Sequence, residues 1–356
     1  MKPTRILALM AMALMSGMAA RAQESDCTHR SVAVNVVASD GQAVRGIGAG
    51  SFVASYRHKD AKIVSVAWDE APRRVAILVD LSDSTASQTV RTLKFGAADE
   101  LIAQLPASTA IGLAIFTDKT EQMIPLTTDR TALQQALSDE SRVRPKERAG
   151  LGTAVADSAR TFDTLRSGDV MYVISNPEDS VSRVRWGELK GTLLNVGVRV
   201  FALEVLPPWM EPKTVVAGPP TSAPPFSAGG APVLSTEPQS GMTSKEVRAK
   251  LQDLVDSTGG SNVMLWEKLT FDKEHQAYVL HNVQGKPTEL SQAVRGQVQQ
   301  VVGFLKLDVQ LPQRADKPVD WELRLAESTT LKDATLIYPH VLPGCHADGL
   351  ASSQLR

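Results

Sequence analysis

The sequence predicts an α/β protein built on a doubly wound, mostly parallel sheet, with an additional small β domain formed by its N- and C-terminal stretches. Three observations support this fold class. Residues 75–79 form an unbroken apolar run, which is typical of a strand covered on both faces. From that run to residue 266, strand-like and helix-like segments alternate. Strand-like patterns also dominate before residue 75 and after residue 300.

The first β-stretch contains a β-branched run at residues 31–38 and an alternating apolar and polar run at residues 62–68. Between them lies the sequence Gly46-Ile-Gly-Ala-Gly50, whose glycines partly match the spacing in a dinucleotide-binding loop. The segment that follows, residues 51–56, is strand-like. Because a dinucleotide loop must open a helix that receives the pyrophosphate, we exclude this function.

The central part of the chain begins with the strand at residue 75, and its first helix carries an apolar stripe at spacings of three and four residues. That stripe consists of Val90, Leu93, Ala97, Leu101 and Leu105. Further strands are predicted at residues 110–116, 121–126, 169–175, 198–206 and 262–266. Helices are predicted at residues 129–137, after 150, at 184–196 and at 247–255, where Gly259-Gly260 is a C-cap signal.

We therefore divide the chain into a signal peptide at residues 1–22, an N-terminal β-stretch at 23–71, an α/β domain at 72–300, and a C-terminal β-stretch and tail at 301–356. Within the α/β domain, residues 207–243 are rich in Pro, Gly, Ser and Thr and lack any hydrophobic period. We expect this segment to be a flexible insertion. A helix at residues 288–297 precedes the strands predicted at 301–311, 321–325 and 334–338.

The first 22 residues have the features of a secretory signal peptide. Lys2 and Arg5 precede an apolar run, and Ala20-Arg21-Ala22 is a small-residue cleavage signal. The alternative is an uncleaved anchor, for which the run is short. We therefore expect an exported bacterial protein, periplasmic or extracellular, without a transmembrane segment after cleavage.

Charge limits the classes of partner. Cleavage would remove three basic residues and no acidic one, which leaves 35 basic against 39 acidic residues. No basic stripe is present, so nucleic acid is not an expected partner.

The chain has two cysteines, Cys27 and Cys345, which lie near the two ends of the mature sequence. In an oxidising compartment the first expectation is one disulfide between them. The alternative is a zinc site that also uses His29 and His346, although the spacing matches no familiar zinc pattern.

A polar cluster follows the first central strand, at the edge where open α/β sheets bind their ligands. Asp80, Ser82 and Ser84 alternate with other residues, so a tight loop could turn their oxygens toward one point. Hard oxygen ligands of this kind suit Mg²⁺. The alternative is that these residues only cap the following helix.

This arrangement resembles the von Willebrand factor type A domain, a Rossmann-like fold, and more narrowly its secreted bacterial branch. The resemblance covers most of the mature chain, and the Asp-x-Ser-x-Ser pattern with a later threonine is its most specific part. The motifs that carry it are Asp80-Leu-Ser82-Asp-Ser84, Gly152-Thr153, Asn176-Pro-Glu178-Asp179, Thr258-Gly259-Gly260 and Tyr338-Pro-His-Val-Leu-Pro-Gly-Cys345.

The resemblance implies a metal-ion-dependent adhesion site with Mg²⁺ or Mn²⁺. Ser82 and Ser84 would ligate the metal directly, Asp80 directly or through water, and Thr153 would add a hydroxyl. The family's last ligand is an aspartate, which is Asn176 here. Because this change removes one negative charge, we expect weak metal binding, with compensation by Glu178 or Asp179 as one option and complete loss of the metal as another.

The function that follows is a secreted, non-enzymatic adhesion or protein-interaction module. Its partner would be a protein that contributes an acidic side chain to the open position of the metal. A metal-assisted hydrolase is the first alternative, but no histidine or paired glutamate is placed as a general base. A structural envelope protein with a vestigial site is the second. The sequence also lacks a Gly-Lys-Ser phosphate loop and a Gly-x-Ser-x-Gly elbow.

Overall fold

A computed structural model describes residues 27–39, 41–82, 88–142, 148–162, 164–207, 242–272, 277–282, 289–327, 331 and 333–345. In chain order the strands are β1 (His29–Val37), β2 (Phe52–Tyr56), β3 (Lys59–Asp69), β4 (Arg74–Asp80), β5 (Ala110–Phe116), β6 (Thr120–Thr127), β7 (Val170–Ser175), β8 (Arg199–Leu206), β9 (Asn262–Asp272), β10 (Ala277–Asn282), β11 (Phe304–Gln310), β12 (Val319–Asp320), β13 (Glu322–Leu325), β14 (Thr335–Ile337) and β15 (Val341–Leu342). The α-helices are α1 (Gln88–Gln104), α2 (Arg130–Glu140), α3 (Leu151–Ser158), α4 (Trp186–Val196), α5 (Ser244–Thr258) and α6 (Leu290–Val302).

The larger sheet has seven strands in the order β10-β9-β8-β7-β4-β5-β6. Its five central strands are parallel, and β6 and β10 are antiparallel edges. Counted from β4, the strands from β6 to β9 have the doubly wound order 3-2-1-4-5-6, in which the winding reverses between β4 and β7. Helices α1, α2 and α6 pack on one face, and α3, α4 and α5 on the other.

The smaller sheet has six strands in the order β13-β2-β3-β11-β1-β14 and is antiparallel. It combines strands from before and after the α/β domain, since β11 pairs with both β1 and β3. The alternating side chains of these strands bury a separate core. The predicted fold class, a doubly wound sheet with a β domain built from both terminal stretches, is therefore confirmed.

Two differences from the prediction concern the end of the α/β domain. Strand β9 is longer than predicted and pairs with β10, a strand that was not predicted because its apolar run, Ala277 to Leu280, is only four residues long. Helix α6 continues to Val302, so Val301 belongs to this helix and is buried in the core of the α/β domain. The strand predicted from residue 301 begins at Phe304.

The two domains meet at a seam around Arg199, which is fully buried at the start of β8. Its guanidinium donates to the carbonyl of Gly259 at 2.7 and 3.0 Å and to that of Gln300 at 3.0 Å. It also donates to Oδ1 of Asn35 on β1. The same turn touches the tail, because a Cβ on Gly259 would lie 2.7 Å from the ring of Pro339. With a φ of +75°, Gly259 ends α5 as predicted.

Cys27 and Cys345 form a disulfide whose Cα atoms are 5.3 Å apart. The zinc alternative is therefore wrong for these two sulfurs, since both are bonded to each other. His346 lies outside the described residues, as does most of the predicted insertion at 207–243, which stays a prediction. Within the described part of the chain, we find no helix with the length and apolar character needed to cross a membrane.

Candidate functional site

The candidate site lies where β4 and β7 end side by side at the carboxyl edge of the larger sheet. Asp80 is the last residue of β4, and Asn176 directly follows β7. The two strands are paired in parallel with Val79 opposite Ile174. Because the winding of the sheet reverses between these strands, their loops diverge and leave the crevice in which open α/β folds bind ligands.

The Asp80 carboxylate is fully buried, and both of its oxygens accept hydrogen bonds. Oδ1 accepts from the backbone N–H of Ser82 at 2.8 Å, which fixes the first turn of the loop. Oδ2 accepts from the hydroxyl of Ser175 at 2.7 Å. A buried carboxylate needs such partners because desolvation disfavours its charge.

The positive charge that faces Asp80 comes from Lys94, a residue that the sequence reasoning did not select. Its Nζ lies 3.6 Å from Asp80 Oδ2, and both side chains are fully buried. It donates to Asn176 Oδ1 at 2.7 Å and to the carbonyl of Ser82 at 3.3 Å. Three predicted metal-site residues, Asp80, Ser82 and Asn176, are thus brought together around an ammonium group.

A signal for Lys94 was present in the sequence. It lies four residues after Val90 and three before Ala97, so helical spacing places it on the apolar stripe of α1. A charged residue on a buried face requires a partner inside the protein.

Thr153 is in the first turn of α3, on a loop packed closely against its neighbours. The N–H of Gly150 donates to the carbonyl of Thr117 at 2.7 Å, and a Cβ on Gly150 would lie 2.8 Å from the carbonyl oxygen of Asp118. Only glycine permits this approach. The Thr153 hydroxyl accepts from the N–H of Arg183 at 3.2 Å. Thr153 is therefore tied to the loop after β7, and Ser84 lies outside the described residues.

Asp179 holds the Thr153 loop in place. One oxygen accepts from the N–H of Gly152 at 3.3 Å and from the indole N–H of Trp186 at 3.2 Å. The other accepts from the N–H of Ser182 at 3.2 Å. A carboxylate that is buried and bonded in this way positions the loop, and it does not compensate for the aspartate missing at Asn176. Asp157, on helix α3, bonds to Thr120 and Arg160.

The described residues do not fit a divalent metal of the kind that the resemblance implies. The charge of the site's carboxylate, Asp80, is already balanced by Lys94, and Asn176 gives its amide oxygen to the same ammonium. Ser82 Oγ and Asn176 Nδ2 are buried without a hydrogen-bond partner among the described residues, and only the first of these atoms could ligate a cation. Over the same residues, no group of three or more His, Cys, Asp or Glu side chains could hold a metal ion.

Three exposed arginines lie on the loops near Thr153 and Asp179 in the sequence. Arg148 immediately precedes the segment that bridges to Asp179, and Arg183 and Arg185 follow Asp179. Arg185 shares its charge with Glu188 at 3.1 Å in an exposed ion pair. We call Arg148, Arg183 and Arg185 the arginine rim. The rim places positive charge at the surface, whereas the Asp80 and Lys94 charges are both buried.

No protein-family profile matches the chain, and no curated protein matches it in sequence. Among solved structures, the conserved hypothetical protein BatB from Bacteroides thetaiotaomicron is 18% identical, with a TM-score of 0.38 over 54% of this chain and 89% of that chain. An aerotolerance-related membrane protein from Bacteroides fragilis is 16% identical, with a TM-score of 0.41 over 64% of this chain and 98% of that one. Proximal thread matrix protein 1 from the mussel byssus, with a zinc-occupied MIDAS motif, is 12% identical, with a TM-score of 0.41 over 68% and 50%.

With TM-scores below 0.5 and identities below 25%, these similarities do not extend to ligands or partners. The fold that the resemblance to the von Willebrand factor type A domain implies is the fold observed, a doubly wound sheet with the Asp80, Thr153 and Asn176 loops at one edge.

Proposed function

We propose that this protein is an exported, non-enzymatic interaction module whose protein partner docks on the carboxyl edge of the larger sheet through acidic side chains. The observation that carries the proposal is the arginine rim on loops that are themselves held rigidly. Export is supported by the signal-peptide pattern at residues 1–22 and by a disulfide, which is characteristic of oxidising compartments.

The rim has the chemistry for acidic partners. A guanidinium can bind a carboxylate through two parallel hydrogen bonds, which gives geometric specificity in addition to attraction. The backbone N–H of Arg183 donates to the Thr153 hydroxyl at 3.2 Å, so the Arg183 side chain starts from a backbone position that this bond holds. A preorganised surface loses less conformational entropy on binding.

The hydrolase alternative is disfavoured by the state of Asp80. A nucleophilic or metal-ligating carboxylate needs an oxygen directed toward substrate, yet both Asp80 oxygens accept hydrogen bonds inside the protein. The proposed interaction also requires no metal, because the attraction for a partner carboxylate comes from the rim. Weak Mg²⁺ or Mn²⁺ binding stays a prediction of the resemblance.

The test compares three purified proteins as affinity baits for envelope extract, each with and without EDTA. They are the wild type, an Arg148→Glu/Arg183→Glu variant, and a Lys59→Glu/Lys62→Glu control that makes the same charge change at exposed positions of the β domain. Each captured protein is then purified and titrated directly against all three. We expect the rim variant to raise the Kd at least about tenfold, the control to leave it within about twofold, and EDTA to have no effect.

Three results would contradict the proposal. Equal weakening in both charge variants would indicate nonspecific attraction, and a partner insensitive to the rim would point to a structural role elsewhere on the protein. Turnover of generic phosphoester or peptide substrates that is lost in Asp80→Asn would favour the hydrolase.

A further inference from the structure

We propose that Lys94 is the resident cation of this site, so that its ammonium, and not a metal ion, neutralises Asp80 and holds the loops after β4 and β7 together. This inference concerns how the loops are held and does not rest on the proposed partner binding. It starts from the disagreement between the metal ligands that the resemblance implies and the contacts that these residues make.

The ammonium of Lys94 is surrounded by oxygens from both strand ends. Its Nζ has three N–H donors, and among the described residues it lies 3.6 Å from Asp80 Oδ2, 2.7 Å from Asn176 Oδ1 and 3.3 Å from the carbonyl oxygen of Ser82. Two of these oxygens belong to the loop after β4 and its strand, and the third belongs to the loop after β7. A cation that bridges the two strand ends is what a metal would supply there.

The charges of Asp80 and Lys94 cancel each other. Asp80 carries one negative charge and Lys94 one positive charge, and Asn176 is neutral, so this trio has no net charge to attract a divalent ion. Calcium and magnesium sites depend on the number of carboxylate ligands, and a nearby ammonium repels a further cation. A compact ammonium on a flexible stem is suited to act as such a point charge.

The packing of helix α1 fixes the position of Lys94. Lys94 is fully buried, and its helix α1 packs against β4, β7 and β8. The ammonium is therefore fixed beside Asp80 by the fold itself. An ion pair of this kind is strongly destabilised when one partner is removed, because the other charge is left uncompensated.

The experiment measures thermal unfolding of the full chain with EDTA and with increasing Mg²⁺ or Mn²⁺. We expect the wild type to respond to neither. Lys94→Met should lower the Tm by about 5 °C, because it leaves Asp80 without its counter-charge. The Tm of Lys94→Met should also rise saturably with added metal. Its apparent Kd for the metal should be at least about tenfold below the lower limit set by the unresponsive wild type.

The matched control is Lys190→Met, which removes a lysine from a partly exposed ion pair with Asp253 at 2.8 Å. It should change the Tm by less than about 2 °C, and it should not change the response of the Tm to metal. If Lys94→Met does not fold, the double variant Lys94→Met/Asp80→Asn removes both charges and should recover folding without any metal response.

Several results would overturn the inference. One is a wild type that loses stability in EDTA or is stabilised saturably by the metal. Another is a folded Lys94→Met variant without any gain in metal response, which would make Lys94 an ordinary buried ion-pair partner. A third is a double variant no more stable than the single one, since Lys94 would then act by something other than neutralising Asp80. All of these readouts are stabilities, so they are independent of whether the rim binds a partner.

Discussion

Two buried cations, Lys94 at the carboxyl edge and Arg199 at the seam between the domains, are compensated in different ways. Each is fully buried, and each donates to the amide oxygen of an asparagine, Asn176 for Lys94 and Asn35 for Arg199. Lys94 also faces a carboxylate, whereas the other hydrogen bonds that Arg199 makes among the described residues go to backbone carbonyls. The charge of Lys94 is thus balanced locally, and that of Arg199 is spread over neutral dipoles.

The difference is visible in the electrostatics. Burial, together with the charge of nearby Arg73, lowers the pKa of Arg199 to about 9. Its guanidinium lies 4.9 Å from the ring centroid of Phe201 and 5.2 Å from that of Phe304, so aromatic faces contribute to its stabilisation. The comparison indicates that a balanced pair can organise one pair of loops, whereas an unbalanced guanidinium with many donors can join separate domains.

Replacing Arg199 with methionine should cause the largest loss of stability among the predictions made here. The change leaves the carbonyls of Gly259 and Gln300 and the amide of Asn35 without their donor at a buried position. We expect the free energy of unfolding to fall by about 4 kcal/mol, and the β and α/β domains to unfold at separate denaturant concentrations.

Arg142→Met is the control for Arg199→Met, since it removes an arginine from an exposed ion pair with Asp139. It should change stability by less than about 0.5 kcal/mol in the same urea titrations. A single, unshifted transition for Arg199→Met would show that the seam does not depend on this cation.

Removing the disulfide should have the next largest effect. We expect Cys27→Ser/Cys345→Ser to lower stability by about 3 kcal/mol, because the bridge joins residues 318 apart and restricts the unfolded chain. This loss of stability should add to the loss caused by Arg199→Met. The variant should respond to metal no more than the wild type does. Thermal unfolding of wild type and variant measures the effect. Two free thiols in the unreduced, denatured wild type would contradict the bridge itself.

Asn176→Asp sharpens the comparison at Lys94 by giving that cation a second carboxylate. The site then gains one negative charge, so Mg²⁺ or Mn²⁺ binding should tighten, and a tenfold excess of metal over its Kd would raise stability by about 1.4 kcal/mol. Gln310→Glu, at an exposed position of β11, adds the same charge elsewhere and should not respond. Asp80→Ala in the Asn176→Asp background should abolish the gain. A variant that responds no more than the wild type would rule out a recoverable metal site.

Glu204 is another buried ionisable residue, and its replacement should have the smallest effect on stability. Burial raises its pKa above the ordinary 4.5, against the lowering effect of Asn262 and Arg248. A raised pKa means that the stability supplied by this group is present below pH 4.5 and lost as pH rises through its folded value. The Tm of Glu204→Gln relative to that of the wild type should therefore rise by on the order of 2 °C when the pH is raised from 4.5 to 8. Glu188→Gln, in an exposed pair, should show no such trend.

The central strands β4, β5 and β7 could be predicted because each contains a long apolar run, and the site position followed from the polar residues that come after β4. Asp80 was found in this way, and Asn176 through the resemblance to the von Willebrand factor type A domain. Lys94 was not, because one lysine within an apolar stripe is locally similar to a solvated residue at the margin of the stripe. Its partners belong to strands that are distant in the sequence, and local patterns carry no information about them.

Arg199 illustrates the same limit at the seam. It is the first residue of a predicted strand, where an exposed arginine would be ordinary, and its burial depends on Asn35 in another domain. Strand β10 was missed for a different reason. An edge strand is covered less than a central one, so it does not need the unbroken apolar run that identifies β4 or β7.

The insertion of the α/β domain between β3 and β11 sets the order in which the chain acquires its structure during synthesis. The strands β1 to β3 emerge first, but β1 and β3 complete their pairing only when β11 arrives. The larger sheet closes over shorter separations and can form while the early strands still have open edges. During this interval β1 to β3 are exposed to chaperones and to misassembly, and the bond between Cys27 and Cys345 can form only after the tail has been synthesised.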